Sequence, residues 1–203
     1  MNAQGWDDRY RDAEFVWSVG PNETVQKYLH GLTPGSALDL GAGECRNAVW
    51  LASQGWNVTA VDFSRIGLDK GRKLAANKGV DVTFVVADVE IFDMGYRAWD
   101  LVLVSYLQIP NPQRLSVLER AAEAVAPDGL LMVIAHDRSN VADGWGGPPD
   151  EAVCYSVEET VSVLHGFDVQ IAGVIERDVD TESGPRVALD TLVVAHRAKT
   201  GVS

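Results

Sequence analysis

The residues with the most chemical content cluster at one turn: Asp39, then Gly41, Ala42 and Gly43, with Arg46 opening the segment that follows. A Gly-x-Gly turn between a strand and a helix lets backbone approach a ligand closely, because glycine carries no Cβ to hold it away. Asp62 comes 23 positions after Asp39, the interval at which a nucleotide-binding α/β fold places an acid on ribose hydroxyls. Asp88 and Val89 close the next apolar run in the same manner. A nicotinamide-type G-x-G-x-x-G needs glycine at position 46, and Arg46 opposes the close approach of a pyrophosphate there. The charge of Asp39 points the same way, since it repels phosphate and suits a ligand with a cationic amino-acid end.

A second set follows the later apolar runs. Ser105 and Tyr106, and then His136 and Asp137, fall at the carboxyl ends of central strands, where open α/β sheets bind ligands. His136 is the candidate general base and Tyr106 a second candidate catalytic residue. Trp6, Tyr10, Phe15 and Trp17 crowd the N-terminal segment around Arg9; the rings would either anchor the terminus or enclose a cation, a contact worth about 0.5 to 2 kcal/mol. Trp145 and Tyr155 flank a long loop and are candidates to line an acceptor pocket. His136, Asp137 and Asp143 match no metal motif, so no metal ligand is assigned. Cys45 and Cys154 lack CxxC spacing and read as reduced thiols.

These residues need a scaffold that alternates short strands with helices. Apolar runs at 37–40, 57–61, 83–87, 101–104 and 130–135 are too short for helices and bounded by Gly, Pro or Asp, as expected of buried parallel strands. Helices are expected at 46–54, closed by Gly55, and at 65–77, with Ser64 as N-cap and Gly79 past the end. Leu115, Leu118, Ala121 and Val125 recur at helical spacing, and the turn residues Pro127, Asp128 and Gly129 end that helix. Residues 137–150 read as a loop, 157–164 as a short helix, and 167–175 with 186–195 as an antiparallel pair joined by a polar loop over 178–185.

Composition bounds the rest. A chain of 203 residues, 46% hydrophobic and 23% charged, suits one folded domain. A formal charge of −12 repels polyphosphate over most of the surface and argues against nucleic acid as partner. The polar N-terminal segment has no signal-peptide pattern and no run approaches a membrane span, so a cytoplasmic enzyme with no membrane partner is expected. Oligomeric state is not legible.

With these motifs in place, the chain resembles the class I S-adenosylmethionine-dependent methyltransferases, whose glycine motif reads D/E-x-G-x-G-x-G. It looks especially like the tellurite-resistance and thiopurine-methyltransferase-like branch. Trp6-Asp7-Asp8-Arg9-Tyr10 is similar to that branch's W-D-x-x-Y segment, Gly43-Glu44-Cys45-Arg46-Asn47-Ala48 to its helix start, and Val58-Thr59-Ala60-Val61-Asp62-Phe63-Ser64 to its strand end. Cys45 stands where the family has its third glycine. The resemblance implies an α/β, Rossmann-like, doubly wound sheet of seven strands, order 3-2-1-4-5-7-6, with strand 7 antiparallel. It implies one domain over 1–203, a cap at 1–34 on a core at 35–203. It also implies S-adenosyl-L-methionine as cofactor, S-adenosyl-L-homocysteine as product, and a small-molecule oxygen or sulfur acceptor. By resemblance Asp39, Gly41 and Gly43 serve the methionine part, Asp62 the ribose, Asp88 and Val89 the adenine edge and Phe63 its face. Trp6, Arg9, Trp17 and Ser105 complete the cofactor set. A nicotinamide-dependent oxidoreductase and a non-catalytic cofactor-binding protein remain as alternatives.

Overall fold

The computed structural model describes residues 3–12 and 19–199; Phe15 and Trp17 lie outside the described residues. The chain divides into two compact units, Met1–Asp93 with Trp99–Leu103, and Met94–Ala98 with Val104–Ser203. The first unit holds helices α1 (Ala3–Arg11) and α2 (Glu23–Leu29), strand β1 (Ser36–Leu40), α3 (Arg46–Ser53), β2 (Asn57–Asp62), α4 (Arg65–Lys78), β3 (Thr83–Val86) and the start of β4 (Trp99–Ser105). The second holds the end of β4, then α5 (Gln113–Ala124), β5 (Val125–His136), α6 (Asn140–Asp143), α7 (Val157–Ser162), β6 (Phe167–Thr181) and β7 (Gly184–Arg197).

The strands form one seven-stranded sheet in the order β3-β2-β1-β4-β5-β7-β6. In the first unit β1 pairs in parallel with β2, and β2 with β3. In the second, β7 runs antiparallel to both β5 and β6, so the expected α/β order is the observed one. Leu38 and Leu40 of β1, Leu101 and Leu103 of β4, and Leu131 to Ala135 of β5 are buried, as strands covered on both faces must be.

The expected punctuation also forms. The Ser64 hydroxyl accepts the Gly67 N–H at the start of α4, and Gly79 ends that helix at φ +65°. Ser156 caps α7, accepting the Glu159 N–H.

Four stretches differ from expectation. Residues 137–150, expected as a loop, hold the short helix α6. The stretch 178–185, expected as a loop, is mostly strand, because β6 and β7 pair from Phe167↔Arg197 to Thr181↔Gly184 and leave only Glu182 and Ser183 as the turn. Val179 between Asp178 and Asp180 keeps a period of two that a polar composition conceals. Pro127, Asp128 and Gly129 lie within β5, although Asp128 at φ +68° keeps a turn residue's backbone. The N-terminal segment, for which no element was expected, carries α1 and α2, the latter capped by the Asn22 side chain.

Candidate functional site

In the first unit the turn after β1 is built by glycine geometry and one carboxylate. Gly41 and Gly43 both have positive φ, at +70° and +54°. Asp62, at the end of β2, accepts the Gly43 N–H at 2.8 Å through one oxygen and the Ser64 N–H at 2.7 Å through the other. Burial raises the Asp62 carboxyl and these two donors pull it back. The same carboxylate thus ties the glycine turn to the end of β2, with a further lone pair on each oxygen for hydroxyl donors.

Asp39 is different. It is 1% exposed, and neither of its oxygens has a hydrogen-bond partner among the described residues. Burial, aided by the negative charge of Asp62, pushes its carboxyl up to about 7; the neighbouring Ala48 N–H and the Arg46 charge offset this only in part. An orphaned buried carboxylate beside a glycine turn is a costly arrangement for an unliganded protein. It suits a cation delivered by a ligand.

Cys45 occupies the third-glycine position and adopts the left-handed φ of +61° that glycine would take there. Its side chain fits because the facing helix gives way. A Cβ at Gly71 would stand 2.6 Å from the Cys45 sulfur, and one at Gly67 would stand 2.8 Å from the Gly43 carbonyl oxygen. Gly67 and Gly71 lie one turn apart on α4, so this helix seats directly on the turn. Burial, with Asp39 and Asp62 nearby, pushes the Cys45 thiol well up and keeps it protonated.

Helix α1 packs against the same place. Asp7 accepts the Ser64 hydroxyl at 2.5 Å, and the buried Tyr10 reaches to within 2.6 Å of where a Gly43 Cβ would be. Lys70 on α4 pairs with the buried Glu44 at 2.8 Å and lies 5.8 Å above the Tyr10 ring. Trp6 stacks on Tyr10 at 5.5 Å, and the Arg9 guanidinium covers Trp6 at 5.3 Å. Val89 is buried, Phe63 half-buried and Asp88 exposed, where the Asp88 carboxylate accepts the Glu90 N–H.

In the second unit a separate cluster forms at the ends of β4 and β5. Ser105 ends β4, and Tyr106 follows it at φ +54°. His136 is the last residue of β5 and stands opposite Asp190 of β7. Its Nδ1 is 3.2 Å from Asp190 Oδ1, within ion-pair reach but outside hydrogen-bond alignment. The other oxygen of Asp190 accepts the Tyr106 hydroxyl at 2.6 Å and the Arg177 Nε–H at 2.7 Å. Burial works against the Asp190 charge, yet His136, Arg177 and Tyr106 together hold the carboxyl below its ordinary range. Burial and the Asp190 charge push the Tyr106 hydroxyl up, so it acts as a donor and not as a base.

The sequence-predicted residues therefore fall into two groups. Trp6, Arg9, Asp39, Gly41, Gly43, Asp62, Phe63, Asp88 and Val89 belong to the first unit, and Ser105, Tyr106 and His136 to the second, while Trp17 is outside the described residues. Sequence reasoning missed Gly67, Gly71, Arg177 and Asp190, whose roles arise only through partners distant in the chain. Tyr155 is not a pocket residue: it is 1% exposed, donates its hydroxyl to the Leu107 carbonyl and lies under the Arg114 guanidinium. Trp145 is half exposed beneath Arg186. Among the described residues no helix is long and apolar enough to cross a membrane.

Comparison with known proteins agrees with this geometry. Residues 37–129 match a family model described as a methyltransferase domain. This stretch is therefore similar to methyltransferase domains. The cofactor that this family and fold imply is S-adenosyl-L-methionine.

The chain is 28% identical over 137 residues to the 2-heptyl-1-hydroxyquinolin-4(1H)-one methyltransferase of Mycobacteroides abscessus, covering 65% of this chain and 60% of that protein. It is 26% identical over 120 residues to the ubiquinone biosynthesis O-methyltransferase of Actinobacillus pleuropneumoniae, covering 57% and 51% respectively. The chain thus spans between half and two thirds of the length of these curated relatives. Its fold is similar to that of TehB from Haemophilus influenzae, with TM-score 0.74 and 15% identity over 88% of this chain and 63% of that one. The matched stretch runs from β1 into β5 and carries the glycine turn, Asp62 and α4.

Proposed function

We propose that this chain is an enzyme that transfers a methyl group from S-adenosylmethionine to an oxygen, or alternatively a sulfur, of a small molecule. The observation that carries the reading is Asp39, a buried carboxylate with no hydrogen-bond partner among the described residues, set beside a glycine turn in a stretch similar to methyltransferase domains. Asp39 would pair with the ammonium of the cofactor's methionine end, Gly41 and Gly43 would make room for that end, and Asp62 would meet the ribose hydroxyls. Phe63, Asp88 and Val89 serve the adenine, with Trp6, Arg9, Trp17 and Ser105 as further cofactor contacts. Residues 1–203 act as one catalytic domain, in the cytoplasm; the two free, buried cysteines suit a reducing compartment.

S-adenosylmethionine would supply a methyl group on a positively charged sulfur, with S-adenosylhomocysteine as the product. The chain's own part is alignment and proton removal. Nε2 of His136 would be the group to take a proton from an acceptor hydroxyl, and Asp190 would stabilise the resulting imidazolium. The Tyr106 hydroxyl fixes Asp190 and takes no proton. A hydroxyl acceptor is favoured over a thiol, because a hydroxyl has far more need of a base. The 1-hydroxyquinolinone and ubiquinone-precursor enzymes among the relatives support an oxygen acceptor.

The antiparallel β7 between β5 and β6 departs from the all-parallel order of dinucleotide folds and argues against a nicotinamide enzyme. Calorimetric titration tests the reading, with S-adenosylmethionine, S-adenosylhomocysteine and NADH on the wild type, Asp39→Asn and Asp62→Ala. Binding of both sulfur compounds that weakens in both variants supports it; binding of NADH alone overturns it. Cofactor binding with no methylated product across a panel of phenols, N-hydroxy heterocycles and thiols would leave a cofactor-binding protein without turnover.

A further inference from the structure

Asp190 and Arg177 sit on the β6–β7 hairpin, far in sequence from the strand ends that carry the candidate chemistry, yet they surround His136. Asp190 is wholly buried, and its two oxygens divide the work. One stands 3.2 Å from His136 Nδ1, and the other takes the Tyr106 hydroxyl and the Arg177 Nε–H. Arg177 also reaches the Tyr106 oxygen at 3.1 Å, and its guanidinium lies 5.6 Å from the Tyr106 ring centroid. The Tyr106 ring leans against the imidazole at 4.9 Å, while a Gly147 Cβ would come within 3.0 Å of it.

We propose that Asp190 and Arg177 are positioning residues that hold His136 as a neutral imidazole with Nδ1–H toward the carboxylate and Nε2 bare toward the acceptor. This rests on the methyl-transfer reading above. Charge balance sets the two roles. Asp190 alone would orient the ring but would also favour the imidazolium, blocking the base before substrate arrives. Arg177 cancels that charge from the far oxygen, so orientation is kept and the bias toward the protonated ring is reduced. The neighbouring charges are otherwise engaged. Asp137 accepts hydrogen bonds from Thr191 and Ser139, and Arg138 pairs with both oxygens of Glu159, which also binds Arg114.

The two residues therefore act in opposite senses, which a merely structural role does not reproduce. The test is long-range ¹⁵N–¹H NMR on the full chain with labelled histidine, the signals of its 4 histidines being separated by His136→Gln. In the wild type the His136 signals should be those of the Nδ1–H tautomer. Asp190→Asn should lose that bias and take up its ring proton at lower pH than wild type, by roughly one pH unit; Arg177→Met should take it up at higher pH by a similar amount. Arg177→Lys, which keeps the charge, should stay near wild type. Shifts of the same sign in both variants, or an Nε2–H tautomer in the wild type, would overturn the proposal. Titration of the same proteins with S-adenosylmethionine separates the two ideas: intact binding without the tautomer bias removes only the positioning role. Absent binding in a wild type that shows the bias removes the methyl-transfer reading alone.

Discussion

Two buried aspartates, one in each unit, have opposite surroundings. Asp39 has no partner among the described residues and its carboxyl is pushed up to about 7, whereas Asp190 is approached by three side chains and stays below its ordinary range. Both are desolvated, so burial alone does not decide the outcome; the donors do. A carboxylate supplied with donors from its own chain is held in its charged form by that chain. One left without them is an unfilled half of an interaction, and its partner has to come from a ligand.

The comparison can be broken most forcefully at the glycine turn on which Asp39 depends. Gly67→Val would drive a side chain into the Gly43 carbonyl, a backbone atom with no room to move. Loss of measurable S-adenosylmethionine binding and a stability loss of about 3 kcal/mol or more are expected in calorimetry and chemical denaturation. Gly71→Ala is the milder version, clashing with Cys45. Thermal melts should show a loss of about 1 to 3 kcal/mol, recovered in part by adding Cys45→Gly, which removes the facing sulfur.

Asp39→Asn sharpens the contrast. Removing the charge should weaken S-adenosylmethionine binding by roughly 10- to 100-fold, as expected for a lost charge-assisted hydrogen bond of about 1.5 to 3 kcal/mol. The same group sets a pH dependence. Its folded value, about 7, lies above the ordinary value of 3.8, so the folded state binds the extra proton and the unliganded chain loses stability as pH rises between those two values. Above that window wild type carries the full penalty, and Asp39→Asn should be more stable by a few kcal/mol. Cofactor affinity should run the other way, weakening as pH falls below about 7 in wild type and staying flat in the variant. A pH-independent wild-type affinity would separate Asp39 from the ammonium.

Asp190 predicts the opposite stability profile. Its folded value is depressed, so its contribution is present above the ordinary aspartate range and is lost as pH falls through the folded value. Tyr106→Phe, which removes one donor, should cost about 1 kcal/mol and reduce that acid-side loss, as read by urea denaturation at pH 3 to 7. The smallest effect is expected at the junction of α1 and α4. Ser64→Ala removes the α4 cap and the partner of Asp7, for about 0.5 to 2 kcal/mol in stability.

The first unit was readable because its signals are local. Asp39, Gly41 and Gly43 share one turn, and the Ser64 cap and the Gly79 stop are written within a few residues of the backbone groups they satisfy. The N-terminal helices were not read: α1 is rich in polar and charged residues, and its docking through Asp7 and Tyr10 depends on α4, more than fifty residues away. Likewise the β6–β7 hairpin extends through a segment whose acidic residues alternate with apolar ones, a pattern that composition registers as loop.

By itself the sequence determined the alternation of strand and helix, the order of the apolar runs, the glycine turn and the acids that follow the strands. These are consequences of short-range periodicity and of residues such as glycine whose backbone freedom is intrinsic. It took the packed structure to leave Asp39 without a hydrogen-bond partner among the described residues while three side chains approach Asp190, to let Gly67 and Gly71 make room for Cys45, and to bury Tyr155 in the core. Whether a polar group is satisfied depends on which distant segments are brought to within 3 Å of it. That is set by packing and strand register, not by its neighbours in the chain.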